Sequence, residues 1–162
     1  MREIPLTQGY SAIIDDVDFD DISQYKWAYA HGYAVRSVTL RGKQERIPMH
    51  VQIIGKVDGL EIDHINGDRL DNRRCNLRNV THAQNSYNSA SNIGTSRFKG
   101  VFRSKGTAKW RAVITVDGIR HSLGYFATEI DASLAYNAAA TKYFGEYARL
   151  NPVCPCDAMQ CP

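Results

Sequence analysis

Three residues near the middle of the chain are of types that could hydrolyse a phosphodiester: the adjacent Asp63 and His64, and Asn85 further on. The reaction needs a base to activate water and a cation to neutralise charge building on the phosphorane and the leaving oxygen. It also needs a scaffold that holds both in line with the bond. His64 suits the base, because an ordinary imidazole titrates close to neutrality. Asp63 offers a hard carboxylate ligand and Asn85 an amide oxygen. Two protein oxygens, completed by water and phosphate oxygens, suit one Mg²⁺ or Mn²⁺. They suit Zn²⁺ poorly, since that ion favours three or four Cys and His ligands.

These residues need elements to carry them. A short strand is expected over residues 61–65, then a polar loop, then a second short strand over 77–80. Thr81 can cap a helix, with Gln84 as its capping-box partner, and Asn85 lies about one turn in, with Asn88 on the same face. In a regular strand Asp63 and His64 face opposite ways. The strand must therefore bend or end there, and Asn66-Gly67 supplies the means. His82 has the wrong spacing to replace Asn85 and is expected at a phosphate or simply exposed. His50, within PMHVQII, is expected to pack or cap.

The segment reads EIDHINGDRLDNRRCNLRNVTHAQNSYN. It resembles the HNH endonuclease motif, or ββα-metal finger, in the subtype common among phage-encoded enzymes, intron homing enzymes included. The resemblance implies that His64 is the general base and that Asp63 binds metal. It implies that Asn76 braces the loop through backbone hydrogen bonds, and that Asn85, where the family has His or Asn, is the second metal ligand. It extends over roughly residues 1–92, since IPLTQG, DDVDFDDISQYKW, YAVR and MH are similar to what precedes the motif in these proteins. The implied protein is a metal-dependent, site-preferring DNA endonuclease of nicking or homing type, with one divalent cation, Mg or Mn, per active site. It is expected to act on double-stranded DNA as a monomer without an evident protein partner. Its expected setting is the cytoplasm of a bacterial host, as a phage-encoded enzyme.

Upstream of the motif, residues 3–14 read as two short strands around Gln8-Gly9, and Asp15-Asp16 can open a helical turn. Hairpins follow around His31-Gly32 and Arg41-Gly42, and Pro48 suits the first turn of a short helix ended by Gly55. Ala90–Ser96 is small and polar and reads as a linker.

Beyond it, residues 98–126 read as three strands. In the middle one Trp110, Ala112, Ile114 and Val116 alternate with Lys109, Arg111, Val113 and Thr115, and Asp117-Gly118 is a hairpin turn. Thr128 and Asp131 form a capping box, and Leu134, Ala135, Ala138, Ala139 and Phe144 recur at helical spacing up to Gly145. The expected fold class is α+β, with a three-stranded antiparallel sheet packed on one helix. This module, residues 96–150, resembles the AP2/ERF DNA-binding domain through FKGV, KWRAVI, LGYF and EIDASLAYNAAATKYFGEYARLN. In that family the sheet lies in the major groove. The resemblance puts Lys99 and Arg120 at contacting positions, whereas Phe102, Ser104, Thr115 and Ser122 stand where others carry Arg or Trp. Alternation adds Lys109 and Arg111 to the exposed face. Arg103 and Lys105 lie near it, the family register implying a bulge after Val101. Lys99, Arg103, Lys109, Arg111 and Arg120 are thus the expected DNA-binding residues. An RNA-binding sheet is disfavoured, for want of paired exposed aromatics.

Composition bounds the reading. The chain has 162 residues, 43% hydrophobic and 23% charged, with net charge +3, which is globular. Residues 1–30 carry −4, residues 31–95 +3 and residues 96–150 +5, so a polyanion is the expected partner of the basic body. No apolar run is long enough to span a membrane. Cys75 with Cys154, Cys156 and Cys161 lacks the paired spacing of a zinc site, and residues 151–162 are expected as a disordered tail. The rival reading is an AP2-like DNA-binding regulator with an inactive nuclease module, against which Asp63, His64 and Asn85 all stand intact.

Overall fold

The computed structural model of the protein describes residues 1–90 and 95–153. Most of the expected linker and the three tail cysteines lie outside these residues. Two compact units are present, Met1–Asn85 and Ser86–Pro162. Both mix antiparallel sheets with helices, compatible with an α+β class.

In the first unit β1 (Arg2–Pro5) and β2 (Ser11–Ile14) form a hairpin whose turn uses Gln8 at φ 63° and Gly9 at φ 77°. A short helical turn at Asp16–Asp18 leads into α1 (Phe19–Ile22). Next, β3 (Ala28–Ala30), β4 (Tyr33–Leu40) and β5 (Lys43–Pro48) form an antiparallel meander. Its turns, His31-Gly32 and Arg41-Gly42, have positive φ at all four residues, as a two-residue turn matched to strand twist requires. Pro48 stands as the residue before α2 (Met49–Ile54), one place earlier than expected, and Gly55 ends the helix. Then come β6 (Glu61–His64), β7 (Leu77–Val80), antiparallel to it, and α3 (His82–Asn88), whose final turn belongs to the second unit.

The core gathers Ile4, Ala12, Ile14, Ile22, Trp27, Met49 and Leu77. Each large aliphatic side chain removed from water contributes about 1.5–3 kcal/mol. The β1–β2 hairpin also grips the polar loop after β6. Ile13 N–H donates to Leu70 O at 2.8 Å, and Asn72 N–H to Ile13 O at 2.7 Å. The acidic N-terminal run is partly consumed here. Asp15 accepts from the Arg74 backbone N–H, and buried Asp18 pairs with the Arg74 guanidinium at 2.7 Å. Part of the charge polarity seen in the sequence is therefore internal pairing.

In the second unit β8 (Val101–Arg103), β9 (Trp110–Val116) and β10 (Ile119–Phe126) form a sheet in the order β10-β9-β8, and α4 (Glu129–Phe144) packs on it. Thr128 accepts from Asp131 N–H at 3.0 Å, closing the expected cap. The buried stripe of α4 is Ala132, Tyr136, Ala140 and Phe144, whereas Leu134 and Ala138 face outward. The helix is set by Tyr136, which lies against Gly100, where a Cβ would run into its ring and come within 2.6 Å of Val113 O. The expected bulge after Val101 is elsewhere: β8 pairs continuously with β9, and the register shift is in β10 between Ser122 and Gly124. Asn151 is buried rather than part of a loose tail. Its side chain accepts from Lys99 N–H at 2.7 Å and donates to Lys99 O at 3.1 Å.

Candidate functional site

β6 delivers Asp63 and His64, and both are 5% exposed. The strand ends at His64 rather than bending before it, because Gly67 N–H closes a turn onto His64 O at 2.8 Å. Asp63 lies opposite Arg78 in the β6–β7 register, and Arg78 Nε and a terminal nitrogen donate to Asp63 Oδ2 at 3.0 and 2.8 Å.

His64 sits among rings. The His50 ring meets it edge-on at 5.1 Å between centroids, and the Tyr33 ring lies at 6.1 Å. His64 Nε2 is 3.4 Å from Asn72 Oδ1. Burial pushes the His64 imidazole below its ordinary value, against the opposing pull of the Asn72 bond and the Asp63 charge. Burial, with His64 adding to it, pushes His50 down to about 4. Both imidazoles are thus neutral at pH 7. For His64 that is the state in which an imidazole accepts a proton.

The loop between β6 and β7 is knotted by Asn76, itself buried. Its Oδ1 accepts from Asn66 N–H at 3.0 Å, and its Nδ2 donates to Asn66 Oδ1 at 3.0 Å and to Asp71 O at 2.7 Å. Asp71, whose carboxyl is held low mainly by Arg73, accepts from Asn66 Nδ2 at 2.9 Å. Asn72, carried by this loop, is 1% exposed and donates through Nδ2 to Leu70 O.

α3 opens on its capping box: Gln84 N–H donates to Thr81 Oγ1, and Thr81 N–H to Gln84 Oε1. One turn in, Asn85 Nδ2 donates to Glu61 Oε2 at 2.6 Å, and His82 Nδ1 lies 2.7 Å from Glu61 Oε1. The bonds from Asn85 and His82 hold the Glu61 carboxyl below its usual range. Exposed His82 is therefore a partner of Glu61. Strand alternation puts Glu61 on the same face of β6 as Asp63. Glu61 also meets Asn85, and carboxylate and amide oxygens such as these are the kind a hard divalent cation takes. Among the described residues, no group of three or more His, Cys, Asp and Glu side chains is placed to hold a metal, and Cys75 is exposed and not in a disulfide.

Sequence reasoning missed Glu61, Tyr33 and Asn72. Glu61 was within reach, since it is two residues before Asp63. Nothing local marks Tyr33 or Asn72, which reach His64 only through the fold.

The expected DNA-binding residues separate. Arg111, Arg120, Lys109 and Arg103 are exposed. Arg111 lies centrally on the outer sheet face, and Arg103, at the strand end, lies 5.2 Å from the Trp110 ring centre. Lys99 leaves the group. Its ammonium donates to the carbonyls of Tyr87 and Ser89 at 2.6 and 2.8 Å, at the C-terminal end of α3, and burial pushes it down to about 8. Val113, of outward parity, is buried all the same. The sheet does expose two aromatics, Phe102 at 40% and Tyr125 at 57%, and each pairs with Arg111, from either side, rather than with the other.

A family model described as HNH endonuclease matches residues 51–87. The chain is 33% identical over 134 residues to an HNH endonuclease of Acanthamoeba polyphaga mimivirus, over 82% of this chain and 70% of that protein. It is 37% identical over 65 residues to Protein 3.8 of Escherichia phage T7, over 40% of this chain and 54% of that one. No solved structure matches the chain. The longer alignment exceeds the length of the first unit, so that relative shares sequence with the second unit too.

Proposed function

The chain belongs to the HNH endonuclease family, and from that premise we propose that it hydrolyses phosphodiester bonds of double-stranded DNA with His64 as general base. The observation that carries this reading is the setting of His64: buried, neutral, and joined to Asn72 on a loop that Asn76 ties down. Asn72 Nδ2 donates to Leu70 O, which turns its Oδ1 toward His64. Nε2 then carries the hydrogen, and the Nδ1 lone pair takes the proton from water. Positioning of a general base within reach of the proton it takes accounts for roughly 10²–10⁴ of a rate.

Asp63 and Asn85 hold one divalent cation, Mg²⁺ or Mn²⁺, and Glu61 orients the Asn85 amide by accepting from its Nδ2. The bound cation supplies neutralisation of the charge that builds on the phosphate oxygens. Arg78 holds Asp63 in place by its paired hydrogen bonds.

The second unit, read as an AP2-like clamp, holds the duplex through the outer face of its sheet, where Arg111 and Arg120 meet phosphates and give the enzyme its site preference. Both relatives are viral, which supports a virus-encoded enzyme acting inside an infected cell. No helix among the described residues is long and apolar enough to cross a membrane.

The test is incubation of the protein with phage DNA in Mg²⁺, Mn²⁺ or EDTA, followed by end mapping, with His64→Ala beside it. Cleavage is expected with either cation, none with EDTA, and at least a hundredfold less with His64→Ala. In that variant background, replacing Arg111 and Arg120 by Ala should lower the slope of log affinity against log salt by roughly 2 units. EDTA-resistant cleavage, or full activity in His64→Ala, overturns the assignment.

A further inference from the structure

We propose that the outer face of the β8–β9–β10 sheet takes a DNA base lifted out of its stack, held by Phe102, Arg111 and Tyr125. The proposal rests on the reading of this face as the DNA-binding side of the second unit. It adds that the face prefers DNA with unpaired bases over a perfect duplex.

The three residues form one row. Phe102 pairs with Arg111 across β8 and β9, and Arg111 pairs with Tyr125 across β9 and β10. Neighbouring strands lie about 4.8 Å apart, so the two aromatic residues stand about 10 Å apart at their backbones. Side chains of a sheet stand roughly perpendicular to it. Flat groups in nucleic acid stack at about 3.4 Å, so the gap between the two rings has room for two such layers. One is the Arg111 guanidinium, 5.9 Å from the Tyr125 ring centre, a separation that must open to about 6.8 Å to admit the other. The second layer is the base.

A recess of about 230 Å³ lies here. Buried Val113 is its floor, Phe102 and Tyr125 are its walls, and Arg103, Lys105 and Arg120 bring positive charge. No carboxylate lines it among the described residues. The charge fits a phosphodiester chain, but phosphates alone would need only the cations. Two aromatic side chains left 40% and 57% exposed have no use against a phosphate, whereas they offer apolar faces to a base. In an intact duplex every base face is covered by its neighbours, so an aromatic ring reaches one only where the base is unstacked. A mismatch, a bulge or a kinked step provides that base at least expense.

Binding of four probes to the full chain, carrying His64→Ala to prevent cutting, tests this. The probes are a perfect DNA duplex, the same duplex with a three-nucleotide bubble, its single strand, and an RNA strand of the same sequence. The bubble should bind more tightly than the perfect duplex. Phe102→Ala and Tyr125→Ala should each weaken bubble binding by about 5- to 150-fold, the range for loss of one base–aromatic stack, and barely change duplex binding. Phe102→Tyr and Tyr125→Phe should keep the preference. Phe102→Leu serves in place of the alanine variant if that one melts below the assay temperature.

A bubble preference unchanged by all these substitutions overturns the proposal, as does an equal loss on bubble and duplex. RNA bound as tightly as the bubble, with the same dependence on Phe102 and Tyr125, assigns the face to RNA and overturns it too. Arg111→Ala with Arg120→Ala separates this proposal from the broader one. If that pair leaves every affinity unchanged, the face does not bind DNA at all. If it weakens every DNA probe while the aromatic variants do nothing, only the base-holding role falls.

Discussion

Replacing Asn76 by Ala should loosen the first unit and its chemistry together. The side chain makes three hydrogen bonds inside the loop after β6, two with Asn66 and one with Asp71, and it is 6% exposed. Alanine removes all three and leaves Asn66 and the backbone carbonyl of buried Asp71 short of partners. At about 0.5–1.5 kcal/mol each, the loss is about 2–4 kcal/mol. In a unit of this size that lowers the melting temperature by about 10 °C or more. Guanidinium unfolding followed by Trp27, which is buried in the first unit's core, measures it. Trp110 should be changed to Phe in both proteins so that the second unit stays silent. Asn76→Asp keeps the acceptor for Asn66 N–H but loses both donors, so it should be destabilised as well. Because Asn72 rides on this loop and touches His64, cleavage should fall even where the variant is fully folded. A midpoint within about 0.5 kcal/mol of wild type, or normal cleavage by the destabilised protein, would refute the link from loop to base.

Glu61→Ala should weaken Mn²⁺ binding, read by calorimetry, about 10- to 100-fold, the usual penalty for losing a residue that orients a metal ligand. Glu61→Gln, which keeps an acceptor for Asn85 Nδ2, should restore most of it. Gly100→Ala places a methyl on the Tyr136 ring and near Val113 O at a residue with φ 74°. It should destabilise the second unit by about 2–4 kcal/mol, seen in the unfolding of Trp110 with Trp27 unchanged. His50 is held to about 4, below the ordinary imidazole value. The unfolded chain therefore binds a proton that the folded chain refuses as pH falls from about 6.5 toward 4. Stability present above pH 6.5 is lost across that window by at most about 3 kcal/mol. His50→Leu should show a shallower loss between pH 7 and 4.5, and an identical pH dependence would remove His50 from the account.

Much of the candidate site was legible because its cues are local. Thr81 with Gln84 is a reciprocal cap, and Thr128 accepts from Asp131 N–H, each within one helical turn. The His31-Gly32 and Arg41-Gly42 turns announce their positive φ through short loops between alternating strands. The order of β6, loop, β7 and α3 follows from such signals, and with it the nearness of Asp63, His64, Asn76 and Asn85 in the chain.

Other features depend on pairings that no local pattern encodes. The N-terminal acidic run reads as a charged surface, yet Asp15 and Asp18 reach Arg74 across more than fifty residues and help hold the loop. Lys99 has the composition of a DNA contact, but the protein's own carbonyls near α3 take its ammonium. Helical spacing favoured Leu134 for the core of α4, but the close approach of Tyr136 to Gly100 turned the helix and left Leu134 outside.

Most secondary elements, the turn and cap chemistry and the kinds of ligand available could be read along the chain, since these rest on interactions between residues a few positions apart. The tertiary structure alone decided which ring lies against His64, which carboxylate holds Asn85, and that Phe102, Arg111 and Tyr125 share one row. Those outcomes rest on strand register and long-range packing. A shift of one residue in either pairing would send the side chains of that strand to the opposite face.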